Sequence, residues 1–226
     1  MIKKMLKYSI DKKLGHIPSA LSMLGYLEYL WKNHLDKDWN IVIGKPYGAQ
    51  AYYIIWKEIF KLDINNLSYG VKHSEIDFVD YGEETLGNAL GVASGLSLGN
   101  NKKTWCNISD ASLQMGPTLE ALQFIGKNQQ DILLTIDFNN MQLTGKNTQN
   151  IWDVYSMFFD FKWNVLIINA TEGDYSGVSK FLSKKGPKAI IFKTLKGEGV
   201  KEMEVDPITW HYKILNSIDD ITLSEK

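Results

Sequence analysis

ISDASLQMGPTLEALQFIGKNQQDILLTIDFNNMQLTG, residues 108–145, is the stretch whose reading decides the fold. Asp110 follows one apolar run, Asn139-Asn140 follows another, and the segment between them, opened by Pro117, reads as a helix. Strand, helix and strand in that order, with continuously apolar strands, signal a parallel pair covered by helices. A right-handed crossover returns the chain to the same end of the sheet. Asp110 and Asn139 therefore emerge together at the carboxyl edge, where open α/β sheets bind their ligands. The helix after Pro117 begins beside them and aims free N–H groups at an anion.

The same alternation extends outward. Apolar runs predict strands over 39–43, 104–108, 132–137, 164–168 and 189–193. Helices are predicted after Pro18, where Leu21, Leu24, Leu27, Leu30 and Trp31 recur at helical spacing, and over 49–60, 118–127, 151–161 and 175–184. The segment TLGNALGVASGLSLG (85–99) is rich in Gly and Ala, which weakens intrinsic helix propensity, yet a closely packed helix is the better reading. No repeat, low-complexity tract or linker interrupts the chain. The expected architecture is one α/β domain, 1–226, with a parallel sheet covered by helices on both faces.

Composition narrows the classes of function. The 226 residues are 44% apolar and 23% charged, with a formal charge of -1 and lysines spread along the whole length. That leaves no electrostatic footprint for nucleic acid or an anionic membrane. The N-terminal MIKKMLKYSIDKKLG is basic but lacks the apolar segment of a signal peptide, and no run reaches membrane length. The single cysteine, Cys106, has no partner for an internal disulfide, so a reducing cytoplasm is the expected setting. Seven tryptophans are first of all core, with some available to an apolar partner surface.

A carboxylate and an amide oxygen are hard ligands suited to Mg²⁺, which keeps further positions for phosphate oxygens and water. The plainer reading of the same residues is that Asp110 caps the following turn and Asn139-Asn140 take a left-handed bend.

Beyond the spacing, 109–145 resembles the thiamine diphosphate motif of the transketolase family: a Gly-Asp-Gly, a helix containing Glu-Ala, an apolar strand and an Asn-containing loop ending in Gly. The resemblance continues in order along nearly the entire chain. GHIPSALSMLGYLEYLW (15–31) is similar to the opening Gly-His-Pro-Gly helix, and IGKPYGAQAYY (43–53) to the Ser-Lys-Gly-His segment. TLGNALGVASGLSLG is similar to the Leu-Gly-Gln-Gly-Leu helix, and KTLKGEGVKEMEVDPITWH (193–211) to the lysine-glycine loop ending in Trp-His-Gly.

What the resemblance implies can be assigned residue by residue. Asp110 and Asn139 become side-chain ligands of Mg²⁺, and Met141 lends its backbone carbonyl. Ala111 lies against the diphosphate, Leu86 packs on the cofactor ring, and Glu120 matches a glutamate near the subunit interface that joins a proton relay. His16 and His73 face substrate hydroxyls, and His211 reaches the diphosphate or the substrate, where a neutral imidazole can shuttle protons. His34 has no family counterpart.

The pattern breaks in three places. Gly-Asp-Gly has become Ser109-Asp110-Ala111. Tyr47, in Gly44-Lys45-Pro46-Tyr47, occupies a histidine's place among the substrate contacts; a phenol with a pKa of about 10 donates a hydrogen bond but is no neutral-pH base. Glu84-Thr85 brings bulk and charge near the expected cofactor ring.

The family's fold and chemistry follow as expectations: a thiamine diphosphate-binding domain that, with Mg²⁺, serves transfer of a two-carbon ketol unit between sugars, one of them a modified sugar. The pyrimidine-binding and C-terminal domains are expected on a separate C-terminal transketolase subunit, so that the chain is the N-terminal subunit of a split enzyme, inactive alone, in an α2β2 heterotetramer. Two other readings stay open: a subunit of a 2-oxo acid decarboxylase or ligase using the same cofactor, and a degenerate partner without catalysis.

Overall fold

The computed structural model describes residues 1–143 and 145–224. Six parallel strands form one sheet: β1 (Asn40–Gly44), β2 (Tyr81–Gly82), β3 (Thr104–Ser109), β4 (Ile132–Phe138), β7 (Asn164–Asn169) and β8 (Lys188–Lys193), in the order β2-β1-β3-β4-β8-β7. A two-residue hairpin, β5 (Met141–Gln142) with β6 (Gly145–Lys146), follows β4 and stands apart from the sheet. Every strand predicted from its apolar run is present, shifted by a residue or two at its ends.

Side-chain alternation along the strands feeds two separate cores. Trp105, Leu133, Ile190 and Phe192 point to one face, where they pack with α1 (Ile2–Asp11), α2 (Ile17–Asn33) and α3 (Gln50–Phe60). Cys106, Leu134, Ala189 and Ile191 point to the other, under α4 (Ala89–Gly99), α5 (Gly116–Lys127) and α6 (Ile151–Asp160). Two five-residue helices, α7 (Val178–Leu182) and α8 (Lys201–Val205), complete the first face. The sheet is thus covered on both sides, which explains why its strands read as unbroken apolar runs.

The sheet also buries a polar network on the first face. Asn107 donates to the Tyr52 hydroxyl at 2.6 Å and accepts from Tyr26 at 3.0 Å and Thr135 at 2.7 Å, while the Trp105 indole donates to Thr135 at 2.9 Å. Each member has a partner, so the network fixes register at little desolvation cost.

Three elements depart from expectation. The basic N-terminal stretch forms α1, whose Met5, Leu6 and Ser9 are buried against α2 and α3. The helix expected over 85–99 begins only at Ala89; 83–88 is a loop, with Gly87 at φ +131°, a conformation that favours glycine. The helix expected over 175–184 contracts to α7. Among the described residues no helix is long and apolar enough to cross a membrane.

Candidate functional site

Five strands deliver side chains to one crevice at the carboxyl edge of the sheet. A cavity of about 330 Å³ is lined there by residues that follow β1 (Lys45, Tyr47), β2 (Glu84, Leu86), β3 (Ala111, Met115), β4 (Asn139, Met141, Leu143) and β8 (Lys196), together with His16, His211 and Tyr212. A larger open groove, about 490 Å³, lies by Trp39, Phe60 and Phe78 at the amino ends of the strands, the wrong edge for a site in this architecture.

The opening juxtaposition is realised: β3 and β4 pair through Ser109 and Asp137, so Asp110 and Asn139 leave neighbouring strand ends. Asp110 is fully buried. One carboxylate oxygen accepts the Ala111 N–H at 2.8 Å, and the other, Oδ2, has no partner. Burial, and then the charge of Asp137, push its pKa up to about 6, against opposing help from Lys45 and the backbone N–H groups of Asn140 and Ala111. Asn139 donates to Asp137 at 3.0 Å and accepts the Met141 N–H at 2.9 Å, which leaves its oxygen one lone pair. Asn140 takes the left-handed bend, at φ +57°.

Beneath these residues lies a charge cluster that sequence reasoning did not single out. Asp137 is buried and forms an ion pair with Lys45; Ser22 at 2.6 Å and Thr194 also donate to its carboxylate. Lys45 donates as well to the Ser19 carbonyl at 3.2 Å. Lys196 is buried, contacts His211 Nδ1 at 3.1 Å, and is pushed down to about 8, first by burial and then by Lys45. The Lys-Gly-rich run 193–199 carried a signal for Lys196; nothing local marked Asp137, the acidic residue inside an apolar strand.

Above the cluster the rings gather around His16. It sits at the N-terminus of α2 in a left-handed conformation, φ +54°, with its backbone N–H bonded to the His211 carbonyl at 2.9 Å. Its Nδ1 is hydrogen-bonded to the Tyr69 hydroxyl, Tyr47 stacks on it at 5.2 Å, and His211 and Tyr212 stand edge-on at 4.5 and 4.9 Å. Burial, then His211 and the two lysines, push His16 down to about 3; burial and the same lysines push His211 down to about 4. Both imidazoles are therefore neutral at physiological pH.

Two expected residues do not join this group. His73 lies exposed in the loop before β2 and lines no part of the cavity; the ring from that segment that reaches His16 is Tyr69. Glu120 is exposed on α5, also outside the cavity lining. Leu86 and Ala111 line the cavity, and Glu84 stands exposed at its rim. The neighbouring Glu83 turns inward instead, buried, where it accepts N–H groups of Asn88 and Ala89 at the start of α4.

The donor set fits a divalent ion carrying a diphosphate. The orphaned Asp110 oxygen, the free Asn139 lone pair and a loop carbonyl are hard oxygens, while Lys196 stands across from them as a cation for phosphate. Among the described residues no group of three or more His, Cys, Asp or Glu side chains is arranged to hold a metal ion.

No family model matches the chain. Curated relatives do. A transketolase of Homo sapiens is 28% identical over 194 residues, covering 78% of this chain and 31% of its own length. A transketolase-like protein 2 of Bos taurus is 28% identical over 205 residues, covering 80% of this chain and 32% of its own length. This chain thus spans about a third of the length of the curated relatives it matches. Among solved structures, a transketolase from Leishmania mexicana superposes with a TM-score of 0.72 at 19% identity, over 89% of this chain and 38% of that one. A transketolase from Campylobacter jejuni subsp. jejuni gives 0.68 at 19% identity, over 92% and 40%. At such identities the structural likeness shows the fold alone. In sequence the chain is similar to transketolases over about 80% of its length, and its fold is that of the matching part of the transketolase structures.

Proposed function

We propose that this chain is the diphosphate- and metal-binding part of a transketolase-type transferase that moves a two-carbon ketol unit between sugars. The observation that carries the reading is the unpartnered oxygen of fully buried Asp110 beside Asn139. A buried carboxylate oxygen without a partner is costly unless a ligand completes it. Asp110, Asn139 and the Met141 carbonyl would hold Mg²⁺, Lys196 and His211 would meet the diphosphate, and Leu86, Met115 and Met141 would form the apolar wall for the ring. Bound there, thiamine diphosphate supplies the electron sink for making and breaking carbon–carbon bonds beside a carbonyl.

The residues of this chain then do three things. Their burial keeps water from the deep end of the crevice. With the Tyr69 hydroxyl as donor to Nδ1 of His16, the imidazole carries its proton on Nε2 and offers that N–H as a hydrogen bond to a substrate oxygen. His211, neutral and held by Lys196 at Nδ1, has its other nitrogen for a substrate hydroxyl.

The remaining half of the site, and the group that activates the cofactor's pyrimidine, come in this reading from a separate subunit, in an α2β2 assembly. An apolar outer face supports that partner: Phe124 on α5 and Trp152 and Phe159 on α6 are exposed, the last two by 65% and 63%. Along α4, a Cβ added at Gly91, Gly95 or Gly99 meets nothing within 4 Å, so bare backbone is open to close approach.

Titration calorimetry of thiamine diphosphate into the chain, with and without Mg²⁺ and a candidate partner, tests the reading. Binding is expected to require Mg²⁺ and to vanish in Asp110→Ala. Binding unchanged by that substitution removes the metal assignment. Ketol transfer is expected only with the partner present.

A further inference from the structure

Resting on the function proposed above, we infer that Asn147, which lines no part of the cavity, is the positioning residue of the metal site: it ties the turn that carries Asp110 to the hairpin that carries Met141. Asp110 opens a single-turn helix, Asp110–Gln114, after β3, while Asn139 and Met141 lead from β4 into the β5–β6 hairpin. Strand pairing ends short of both, since β3 and β4 last meet at Ser109 and Asp137. Asn147 follows β6 and is 5% exposed. Its side-chain oxygen accepts the Gln114 amide N–H at 2.5 Å, at the far end of the Asp110 turn, and the Gln149 backbone N–H at 3.0 Å. Nδ2 is buried without a partner among the described residues, so the side chain acts through its oxygen alone.

The backbone of Asn147 engages the same two segments. Its N–H donates to the Asn140 carbonyl at 2.9 Å. Asn140 holds the left-handed bend, and its own N–H faces the Asp110 carboxylate. Residue pairs in an antiparallel hairpin alternate between bonded and unbonded. With Asn140 and Asn147 bonded, the next pair, Met141 and Lys146, is unbonded, and the Met141 carbonyl turns away from the opposite strand. The Met141 N–H accordingly goes to Asn139 Oδ1 at 2.9 Å. The bond made at Asn147 thus leaves free the carbonyl assigned to the ion.

Such a clamp governs the spacing of the ligand oxygens. Mg²⁺ demands near-octahedral oxygens at about 2.1 Å, whereas Ca²⁺ accepts looser geometry at about 2.3–2.6 Å. Two ligand-bearing segments locked together suit the smaller ion, and the same segments unlocked favour the larger. Every oxygen concerned belongs to this chain.

Calorimetric titration of inorganic pyrophosphate into the full chain, in Mg²⁺, in Ca²⁺ and in EDTA, tests the assignment. Asn147→Ala is expected to weaken Mg²⁺-dependent binding about tenfold and to move the ratio of Mg²⁺ to Ca²⁺ affinity about threefold toward Ca²⁺. Binding in EDTA, which rests on Lys196, is expected to stay at the parent level, as it would not after a general loss of structure. Gln114→Ala, at an exposed position, is expected to act in the same direction without disturbing a buried side chain. The double variant is expected to bind no more weakly than Asn147→Ala alone. Undiminished Mg²⁺-dependent binding in either single variant, an unchanged ion ratio, an equal loss in EDTA, or additive losses in the double variant overturns the inference. If the parent binds pyrophosphate more tightly in Mg²⁺ than in EDTA, those outcomes sink the clamp alone. A parent that binds equally in both sinks the function on which it rests.

Discussion

Asp137 and Lys45, from the ends of β4 and β1, form an ion pair in which the carboxylate is wholly buried and the ammonium nearly so. The pair ties the strand that leads to Asn139 to the strand that leads to Tyr47, and so joins the metal side of the crevice to its mouth. A pair this deep is poor evidence of net stabilisation, but removing one member strands the other charge. Lys45→Met or Asp137→Leu alone is expected to cost about 3–5 kcal/mol, and the double substitution clearly less than the sum of the two. Denaturant midpoints of the three variants check this; additive losses would show that the two charges do not depend on each other.

Lys196 is expected to behave in the opposite way. Its folded pKa of about 8 lies below the ordinary lysine value, so the folded chain holds that proton less willingly than the unfolded chain does. A depressed lysine contributes stability that is present above the unfolded value, about 10.4, and lost as pH falls through the folded one. At pH 7 the ammonium is therefore a burden to the folded chain. Lys196→Met is expected to raise stability there by on the order of 1–3 kcal/mol while weakening binding of inorganic pyrophosphate. Thermal melts at pH 7 and pH 10, with and without pyrophosphate, read both effects. A variant less stable at pH 7 contradicts the argument.

The two histidines set the acid limit. With folded values of about 3 for His16 and about 4 for His211, both lie below the ordinary imidazole value of 6.5. The unfolded chain takes up these protons first, so stability is complete above about pH 6.5 and is lost as pH falls toward 4 and then 3. His16→Asn keeps a residue that tolerates the left-handed backbone and removes one proton site. It is expected to flatten the stability curve between pH 6 and pH 4 by on the order of 1–2 kcal/mol. An acid limb as steep as the parent's would mean that other groups carry it.

Much of this was legible from the chain alone, for reasons tied to particular residues. The strands declared themselves because both faces of the sheet are covered, so 104–109 and 132–138 are buried throughout or nearly so. Asp110 and Asn139 were legible because each ends such a run. The Asp137–Lys45 pair was not, since its members lie 92 positions apart and neither position carries a local signal. Helix α1 was obscured because its lysines Lys3, Lys4 and Lys7 interleave with Met5, Leu6 and Ser9, and basic composition masks a buried stripe. Tyr69 was missed because its role is defined only by contact with His16, across 53 positions.

Glu83 governs where α4 begins. Its Oε1 accepts N–H groups from Asn88 and Ala89, its Oε2 is buried without a partner, and burial raises its pKa despite those bonds. A raised carboxylate contributes stability that is present below the unfolded value and lost as pH rises through the folded one. Glu83→Gln keeps an acceptor and sheds the charge, so it is expected to match or exceed the parent at pH 8. Glu83→Ala leaves the helix start uncapped, at a cost of about 1–2 kcal/mol. Amide hydrogen exchange at Asn88 and Ala89 distinguishes the cap from a mere packing loss: both should exchange faster in Ala and not in Gln.

Gly126 decides how closely α5 can lie against the chain leading into β7. A Cβ placed there would come within 1.7 Å of the Phe161 carbonyl oxygen and 3.1 Å of the Trp163 ring, and the neighbouring Trp163 indole donates to the Leu122 carbonyl at 2.9 Å. Alanine normally gains up to about 1 kcal/mol over glycine inside a helix. Here the obstacle is backbone, which cannot swing aside as a flexible side chain does. Gly126→Ala is therefore expected to lose about 1–3 kcal/mol net, with the Trp163 fluorescence shifted as its hydrogen bond to Leu122 is disturbed. The control is Gly95→Ala on α4, where an added Cβ meets nothing within 4 Å. In the isolated chain that substitution should be neutral or stabilising, and a loss at Gly95 equal to that at Gly126 would show that helix propensity, not close approach, governs both.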